Sequence, residues 1–464
     1  MIFKQKCKVN FIIQNFYLFQ SKFCINHHFQ IYLKNFSKRI MFSTMIEKIA
    51  KYNFWNNKKI NTGFFRKDYV NNILSYLNNK LVKVILGQRR VGKSYIMRMI
   101  MSQLIEKLNV PSKNILYINM DIHDFDFITN YKILSNVVDE YKRKLKPEGK
   151  IYIFIDEIQE IENWEKLINS FTQDFLEEYE IFITGSNANL LSSELSTYLS
   201  GRYVPFLIFP FSYKEFLSYF NLNNSKENFL KYLKTGGMPE IYNLTSEEVK
   251  QNYIFSLKDS ILLRDVIKRF KIRDIGLMEK LIDFIIDNIG NLFSINSIVK
   301  TLKNQGFKSN AETLTNYIEA LKKSYFIHEV VRFDIKGKKI LSGERKFYIN
   351  DTSFKYFLSS TFDFGIGKYL ENIVFIELKR RGYNVYVGKI RDMEVDFIAE
   401  KNKEKVYIQV AYLLNNRDVI DREFNNLLLI KDHFPKYVLS LDDLELGNIN
   451  GVKHLKINDF CYKF

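Results

Sequence analysis

Cysteine is nearly missing from this chain of 464 residues: Cys7, Cys24 and Cys461 lie far apart, with no Cys-x-x-Cys pair. That spacing excludes a disulfide framework and a thiolate zinc site, and it fits a reducing cytoplasm, where we expect the protein to reside. Histidine is also scarce, at six, with one adjacent pair (His27-His28) and no i, i+4 pair enclosing a glutamate, so a histidine-based metal centre is not expected. The apolar stretches of residues 1–44 are too short to cross a bilayer or to match a clean signal peptide, and no membrane anchor is expected. Acidic residues are in deficit, 52 against 69 Lys plus Arg, for a formal charge of +17. Such a charge favours polyanions such as DNA or RNA, but it is also what lysines on solvated faces produce.

What is present is the material of a folded protein: 46% apolar, 26% charged and a high 16% aromatic, with 41 Phe and 29 Tyr. At on the order of 150 residues per domain the length predicts about three domains. Residues 1–44, rich in Phe, Lys, Asn and Ile without a sustained period, read as an extension upstream of a natural start near Met45, with a basic targeting extension as the alternative.

The chain is organised around Gly87-Gln88-Arg89-Arg90-Val91-Gly92-Lys93-Ser94, two glycines followed by Lys and a hydroxyl residue in the phosphate-loop pattern. Leu81 to Leu86 is β-branched and apolar like a buried strand, and from Tyr95 to Lys107 apolar residues recur at helical spacing. In that strand–loop–helix setting the glycines can take positive φ and turn consecutive N–H groups toward a β-phosphate, with the helix dipole favouring the negative charge. The expected ATP contacts are Gly87, Gln88, Arg89, Arg90, Val91, Gly92, Lys93, Ser94 and Tyr95, with Lys93 on the β- and γ-phosphates and Ser94 on Mg²⁺. Ahead of the loop, Phe54-Trp55, Gly63-Phe64-Phe65-Arg66 and Tyr69 read as a lead-in packed on the nucleotide site.

A second strand is expected from Asn114 to Asp121, and a basic helix from Tyr131 to Lys146. The third strand, Ile151 to Ile155, runs straight into Asp156-Glu157. An acid at this strand end holds Mg²⁺ in phosphate-loop NTPases and a following glutamate polarises the attacking water, so Asp156 is assigned to the metal and Glu157 to catalysis. A fourth strand, Glu180 to Asn187, ends in small polar residues, of which Ser186 and Asn187 are candidates to sense the γ-phosphate or the water. Strands alternating with helices imply a parallel sheet with ligands at its carboxyl edge.

These residues resemble a family of prokaryotic AAA-type ATPases, related to the STAND class, whose C-terminal half carries a domain of unknown function. The resemblance rests on the phosphate loop, Phe154-Ile155-Asp156-Glu157-Ile158-Gln159, Ile183-Thr184-Gly185-Ser186-Asn187, Leu199-Ser200-Gly201-Arg202-Tyr203, Pro210 to Phe216 and Gly236-Gly237-Met238-Pro239-Glu240. It runs from about Met45 to the C-terminus, and implies that Gly237 and Pro239 lie near the adenine and that Arg202 is catalytic, within the ATP-sensing machinery. Arg202 also reads as a structural arginine holding the loop after the sensor strand.

Two helices from Ser212 to Lys234 should form a lid, followed by a helical stretch over 251–290 with the basic run Arg264, Lys268, Arg269, Lys271 and Arg273. Between Phe293 and Ile349 the order helix, helix, strand, strand predicts a winged helix. Glu312 and Glu319 on its second helix favour protein packing at least as much as groove reading. From Asp351, a helix with Glu371 and Glu377, a strand with Asp396 and a later strand with Gln409 and Ala411 resemble a restriction-endonuclease-like core without its acid–lysine pair. Lys405 is too far along the strand to substitute.

The fold class expected is therefore α/β: a P-loop NTPase with a parallel sheet (45–210), a helical lid and linker (211–290), a winged helix (291–350) and a degenerate nuclease-like domain (351–464). The function expected is an ATP- and Mg²⁺-dependent conformational switch acting on a DNA, RNA or protein partner. An ATP-regulated nuclease and an ATP-binding scaffold with little turnover are the alternatives, and the oligomeric state stays open.

Overall fold

The computed structural model describes residues 46–55, 58–191, 199–359 and 365–463. The expectations for residues 1–44 and for a start near Met45 lie outside these residues.

The first unit is built on five short strands: β1 (Val82–Leu86), β2 (Ile115–Asn119), β3 (Ile151–Asp156), β4 (Tyr179–Gly185) and β5 (Tyr203–Leu207). They form one sheet in the order β2-β3-β4-β1-β5, with every neighbouring pair parallel. Burial on both faces explains why the central strands β1 and β4 read as largely apolar runs without alternation, whereas the edge strand β5 is mostly half-buried. β4 lies between β1 and β3, so the phosphate loop, the acid pair and the polar end of β4 all emerge at one carboxyl edge. The loop leads into the Lys93–Glu106 helix, whose Ile96, Met97, Ile100, Met101 and Leu104 are buried.

Two helices, Tyr213–Phe220 and Lys226–Thr235, form within the stretch 212–234, the first closed by a reciprocal Ser212–Glu215 capping box. The Glu247–Ser260 helix then runs on without a break, widens to a π-helix over Ile261–Ile267 and ends with Lys268–Phe270.

The remainder holds β6 (Leu292–Phe293), β7 (Ile327–Asp334), β8 (Lys339–Ile349), β9 (Asn384–Ile390), β10 (Met393–Lys401), β11 (Glu404–Val410), β12 (Lys436–Ser440), β13 (Asn448–Ile449) and β14 (Val452–Lys456). The helices Ile295–Asn304 and Ala311–Lys323 precede β7 and β8, in the order expected. All nine strands belong to a single mixed sheet, β13-β14-β12-β11-β10-β9-β7-β8-β6. The parallel pairing of β7 with β9, Arg332 opposite Val387, carries that sheet across the boundary expected at residue 350. One buried core runs from Phe54 through Met97, Phe211 and Tyr348 to Phe460, so the two sheets share apolar packing. Among the described residues, no helix is long and apolar enough to cross a membrane.

Candidate nucleotide site at the carboxyl edge of the parallel sheet

Gly87 ends β1 with φ of 148°, and a Cβ there would lie 2.4 Å from the Ile208 carbonyl oxygen, so only glycine fits. Gly92, with φ of 98°, caps the Lys93–Glu106 helix, and a Cβ on it would meet nothing within 4 Å, which leaves open space over the helix N-terminus. Arg90 inside the loop is also left-handed, at 70°. Such backbone in a non-glycine residue is strained and is held by its surroundings.

Lys93 folds back over the loop. Its buried Nζ donates to the Gly87 and Gln88 carbonyls at 3.1 and 3.2 Å and lies 3.6 Å from Glu157 Oε1. Asp156 is fully enclosed: its Oδ2 accepts from the Tyr117 hydroxyl at 3.0 Å and its Oδ1 from Thr184. Burial, then the neighbouring Glu157 charge, raises the Asp156 carboxyl above its usual range, while hydrogen bonds from Ser94 and Thr184 and the charge of Lys93 oppose the rise. Glu157 sits at φ of 54°, its N–H donating to Thr184 Oγ1 at 2.9 Å. Burial pushes its carboxyl up, but the charges of Lys93 and Arg89 and hydrogen bonds from Gln159 and Ser186 prevail and hold it below the usual range. Ser186 Oγ donates to Asp265 Oδ1 at 2.9 Å, and Asn187 Nδ2 reaches the Asp265 carbonyl at 3.4 Å.

The structure thus brings together Gly87, Gln88, Arg89, Gly92, Lys93, Ser94, Asp156, Glu157, Ser186 and Asn187. Val91 is buried, and its carbonyl accepts from Arg66 Nη1 at 3.2 Å. Arg66, 1% exposed, also clasps Glu215 with two bonds of 2.7 and 2.9 Å and reaches the Phe209 and Pro210 carbonyls, so it ties the loop to the Tyr213–Phe220 helix. Tyr95 faces outward, its ring under the Arg98 guanidinium and against Gly63.

Arg202 lies apart from these residues. It precedes β5, its carbonyl accepts from Val82 N at the start of β1, and its guanidinium donates to Asn169 at 2.9 Å. That places it at the opposite edge of the sheet, roughly 15 Å from the loop at about 3.3 Å per residue. Gly237 donates its N–H to Asp351 Oδ2 at 2.6 Å, and its carbonyl accepts from Phe211 N at 2.7 Å. Pro239 opens a short turn, Pro239–Asn243, on the same side.

Four residues escaped sequence reading: Thr184, Tyr117, Asp265 and Asn350. Asn350, just after β8, donates to Gln88 Oε1 at 2.7 Å and so touches the phosphate loop from the second sheet. Thr184 lies inside the quoted strand, and the pairing of Ile155 with Ile183 could have pointed to it, since the next residues on each strand are Asp156 and Thr184.

The residues fit a nucleotide with Mg²⁺. The Ser94 hydroxyl and Asp156 carboxylate are adjacent hard oxygen donors. The amide Nε2 of Gln88 and Oε1 of Gln159, both buried here, have no protein partner.

A second charged cluster lies in the nine-stranded sheet. Lys346 of β8, buried, has Nζ at 2.7 Å from Glu394, 3.2 Å from Glu371 and 3.9 Å from Asp396. Asp396 accepts from Val410 N at 2.8 Å, and Gln409 Oε1 accepts from Asp396 N at 3.3 Å. Burial, then the Glu371 charge, pushes Asp396 up to about 8. Glu377 points elsewhere, to Arg380 and Arg381. Among the described residues no group of three or more His, Cys, Asp or Glu is placed to hold a metal ion.

Comparison with known proteins agrees with this architecture. Residues 79–217 match the AAA domain family, and residues 226–364 match a domain of unknown function (DUF8612). The chain is 34% identical over 399 residues to an uncharacterized protein of Haemophilus influenzae, covering 85% of this chain and 98% of that one. It is 34% identical over 398 residues to another from Methanocaldococcus jannaschii, covering 82% of each. Among solved structures it is similar to a Walker-type ATPase of Pyrococcus abyssi (TM-score 0.35, 18% identity, 64% of this chain and 96% of that one). It is also similar to the ORC1 protein of Aeropyrum pernix, solved in complex with DNA (TM-score 0.31, 13% identity, 64% and 92%). The chain belongs to the family of AAA-type proteins that join a P-loop ATPase core to a C-terminal domain of unknown function.

Proposed function

We propose that the chain binds ATP with Mg²⁺, hydrolyses it, and uses the cycle as a conformational switch on a nucleic-acid or protein partner. The observation that carries this reading is the convergence of Lys93, Ser94, Asp156 and Glu157 on one helix N-terminus beside the open space over Gly92. Lys93 exchanges its loop carbonyls for phosphate oxygens, and the loop N–H groups supply further donors. Ser94 and Asp156 would hold Mg²⁺, which would supply charge neutralisation at the phosphates. Glu157, kept ionised, accepts a proton from the attacking water. Gln88 couples the loop to the second sheet through Asn350. In this reading 45–210 is the ATPase core, 211–290 the lid and linker, 291–350 a winged helix and 351–464 a nuclease-like domain kept for binding. The test is phosphate release by the purified chain, together with hydrogen exchange in residues 345–358 with ATP and with ADP. No turnover and no nucleotide-dependent exchange would contradict it.

Lys346 favours a second reading, an ATP-regulated nuclease. Nucleic-acid cleavage by carboxylates needs acids for Mg²⁺ and a cation near the scissile phosphate, and Glu371, Asp396 and Lys346 supply those chemical types. Incubation with supercoiled DNA, linear DNA and RNA in Mg²⁺ or Mn²⁺, with and without ATP, decides between them. Cleavage lost in both Asp396→Ala and Lys346→Met would establish the second reading, and no cleavage by the wild type would remove it.

A further inference from the structure

The π-helical stretch Ile261–Ile267 interrupts an otherwise α-helical run, and such turns are rare and concentrate at functional sites. Here the wide turn lays Ile261, Leu262 and Val266 into the core and delivers Asp265, 1% exposed, onto the nucleotide edge. Its Oδ2 accepts from Arg89 Nε at 2.9 Å, and its Oδ1 accepts from Arg89 Nη2 at 3.4 Å and from Ser186 Oγ at 2.9 Å. Arg89 belongs to the phosphate loop and Ser186 to the end of β4, and both also act on Glu157. A carboxylate from the linker therefore occupies the donors that flank the place where a γ-phosphate would meet Glu157. Those donors can serve Asp265 or a terminal phosphate, and two anions on one guanidinium and one hydroxyl repel.

The preceding helix, Glu247–Ser260, packs against the Thr352–Leu358 helix, which begins two residues after Asn350, the residue bonded to Gln88. Loop, linker and second sheet thus form a closed circuit of contacts. We propose that Asp265 is a latch: it holds the linker on Arg89 and Ser186, and a nucleoside triphosphate, but not a diphosphate, takes over those donors and frees the 261–267 segment. This rests on the ATP-binding reading and adds what distinguishes ATP from ADP. A ligand moves such an equilibrium only by its difference in affinity for the two states, so removing the latch should strengthen ATP binding more than ADP binding.

The experiment is calorimetry with ADP and with an ATP analogue bearing a methylene bridge between its β and γ phosphorus atoms, on the wild type and Asp265→Asn. It is paired with hydrogen exchange over residues 261–270. The latch predicts that Asp265→Asn binds the analogue about tenfold tighter with ADP affinity nearly unchanged. It also predicts that exchange in the wild type rises with the analogue and not with ADP. The wild-type exchange comparison needs no variant, so it decides the matter even if Asp265→Asn folds poorly. Equal exchange with both nucleotides, or an unchanged affinity ratio in the variant, would overturn the latch while leaving ATP binding in place. A wild type that binds neither nucleotide would overturn the ATP reading and the latch with it.

Discussion

The hydroxyl of Thr184 donates to Asp156 and at the same time accepts the backbone N–H of Glu157 at 2.9 Å. One side chain on β4 thereby fixes the two acids that end β3, one by its carboxylate and the other by its left-handed backbone. Thr184→Val keeps the shape but leaves a buried N–H and a buried carboxylate oxygen short of a partner. We expect about 2 kcal/mol of lost stability in urea unfolding, and turnover reduced more than nucleotide affinity. Thr184→Ser should behave like the wild type, and a Val variant indistinguishable from it would show that the hydroxyl positions nothing.

The parts legible in the sequence were those whose residues are contiguous. The phosphate loop, the acid pair and the two helices between 212 and 235 are each a single stretch whose spacing carries its own geometry, and each forms where the pattern put it. The misplaced or missed parts depend on partners distant in the chain. Lys346, on β8, is remote in sequence from Asp396, on β10, and two strands separate them in the sheet, yet its side chain reaches the acid cluster, so a search along the last strand alone could not find it. Asp265 reads as one acid within a basic helix, and only the π-helical turn reveals where it goes. The place of Arg202 was not legible either: the resemblance pointed to the sensor, whereas the residue lies beside the start of β1, at the edge of the sheet opposite the phosphate loop.

His328, packed between Phe209 and Phe375, has Nε2 at 3.0 Å from Asn350 Oδ1. Burial holds it down to about 4 from 6.5, with the Lys379 charge acting the same way and the Asn350 bond opposing. The unfolded chain therefore binds more protons between those two values, so this stability is complete above pH 6.5 and is lost as pH falls toward 4. At ~1.4 kcal/mol per pH unit, moving from pH 7 to pH 5 should cost about 2 kcal/mol. Asp396 and Asp351, pushed up to about 8 and about 6, act in the opposite sense over overlapping windows, so His328→Gln is the reference. Urea unfolding should show the wild type losing that amount relative to the variant, and a gap that does not change with pH would show that His328 is not kept neutral.

Arg264, Lys268, Lys271 and Arg273 are exposed, whereas Arg269 is half-buried with Nη2 3.9 Å from Glu160. If the exposed four face a nucleic acid, affinity should fall steeply with salt, by roughly one log unit of slope per phosphate contact. Reversing Arg264, Lys268 and Lys271 should flatten the slope by about three such units, read by fluorescence anisotropy across a salt series. A wild type without salt-sensitive binding to duplex or single strands would assign the surface to solvent and the partner to protein.

The central claim, that this edge binds and hydrolyses ATP, is tested most directly by comparing Lys93→Ala and Glu157→Gln in one calorimetric and phosphate-release measurement. Lys93 meets phosphate in the ground state and Glu157 acts only on the attacking water. The account predicts that Lys93→Ala loses ATP binding, while Glu157→Gln binds ATP at near wild-type affinity and releases phosphate at least about a hundredfold more slowly. ATP binding retained in Lys93→Ala, or undiminished turnover in Glu157→Gln, would contradict it.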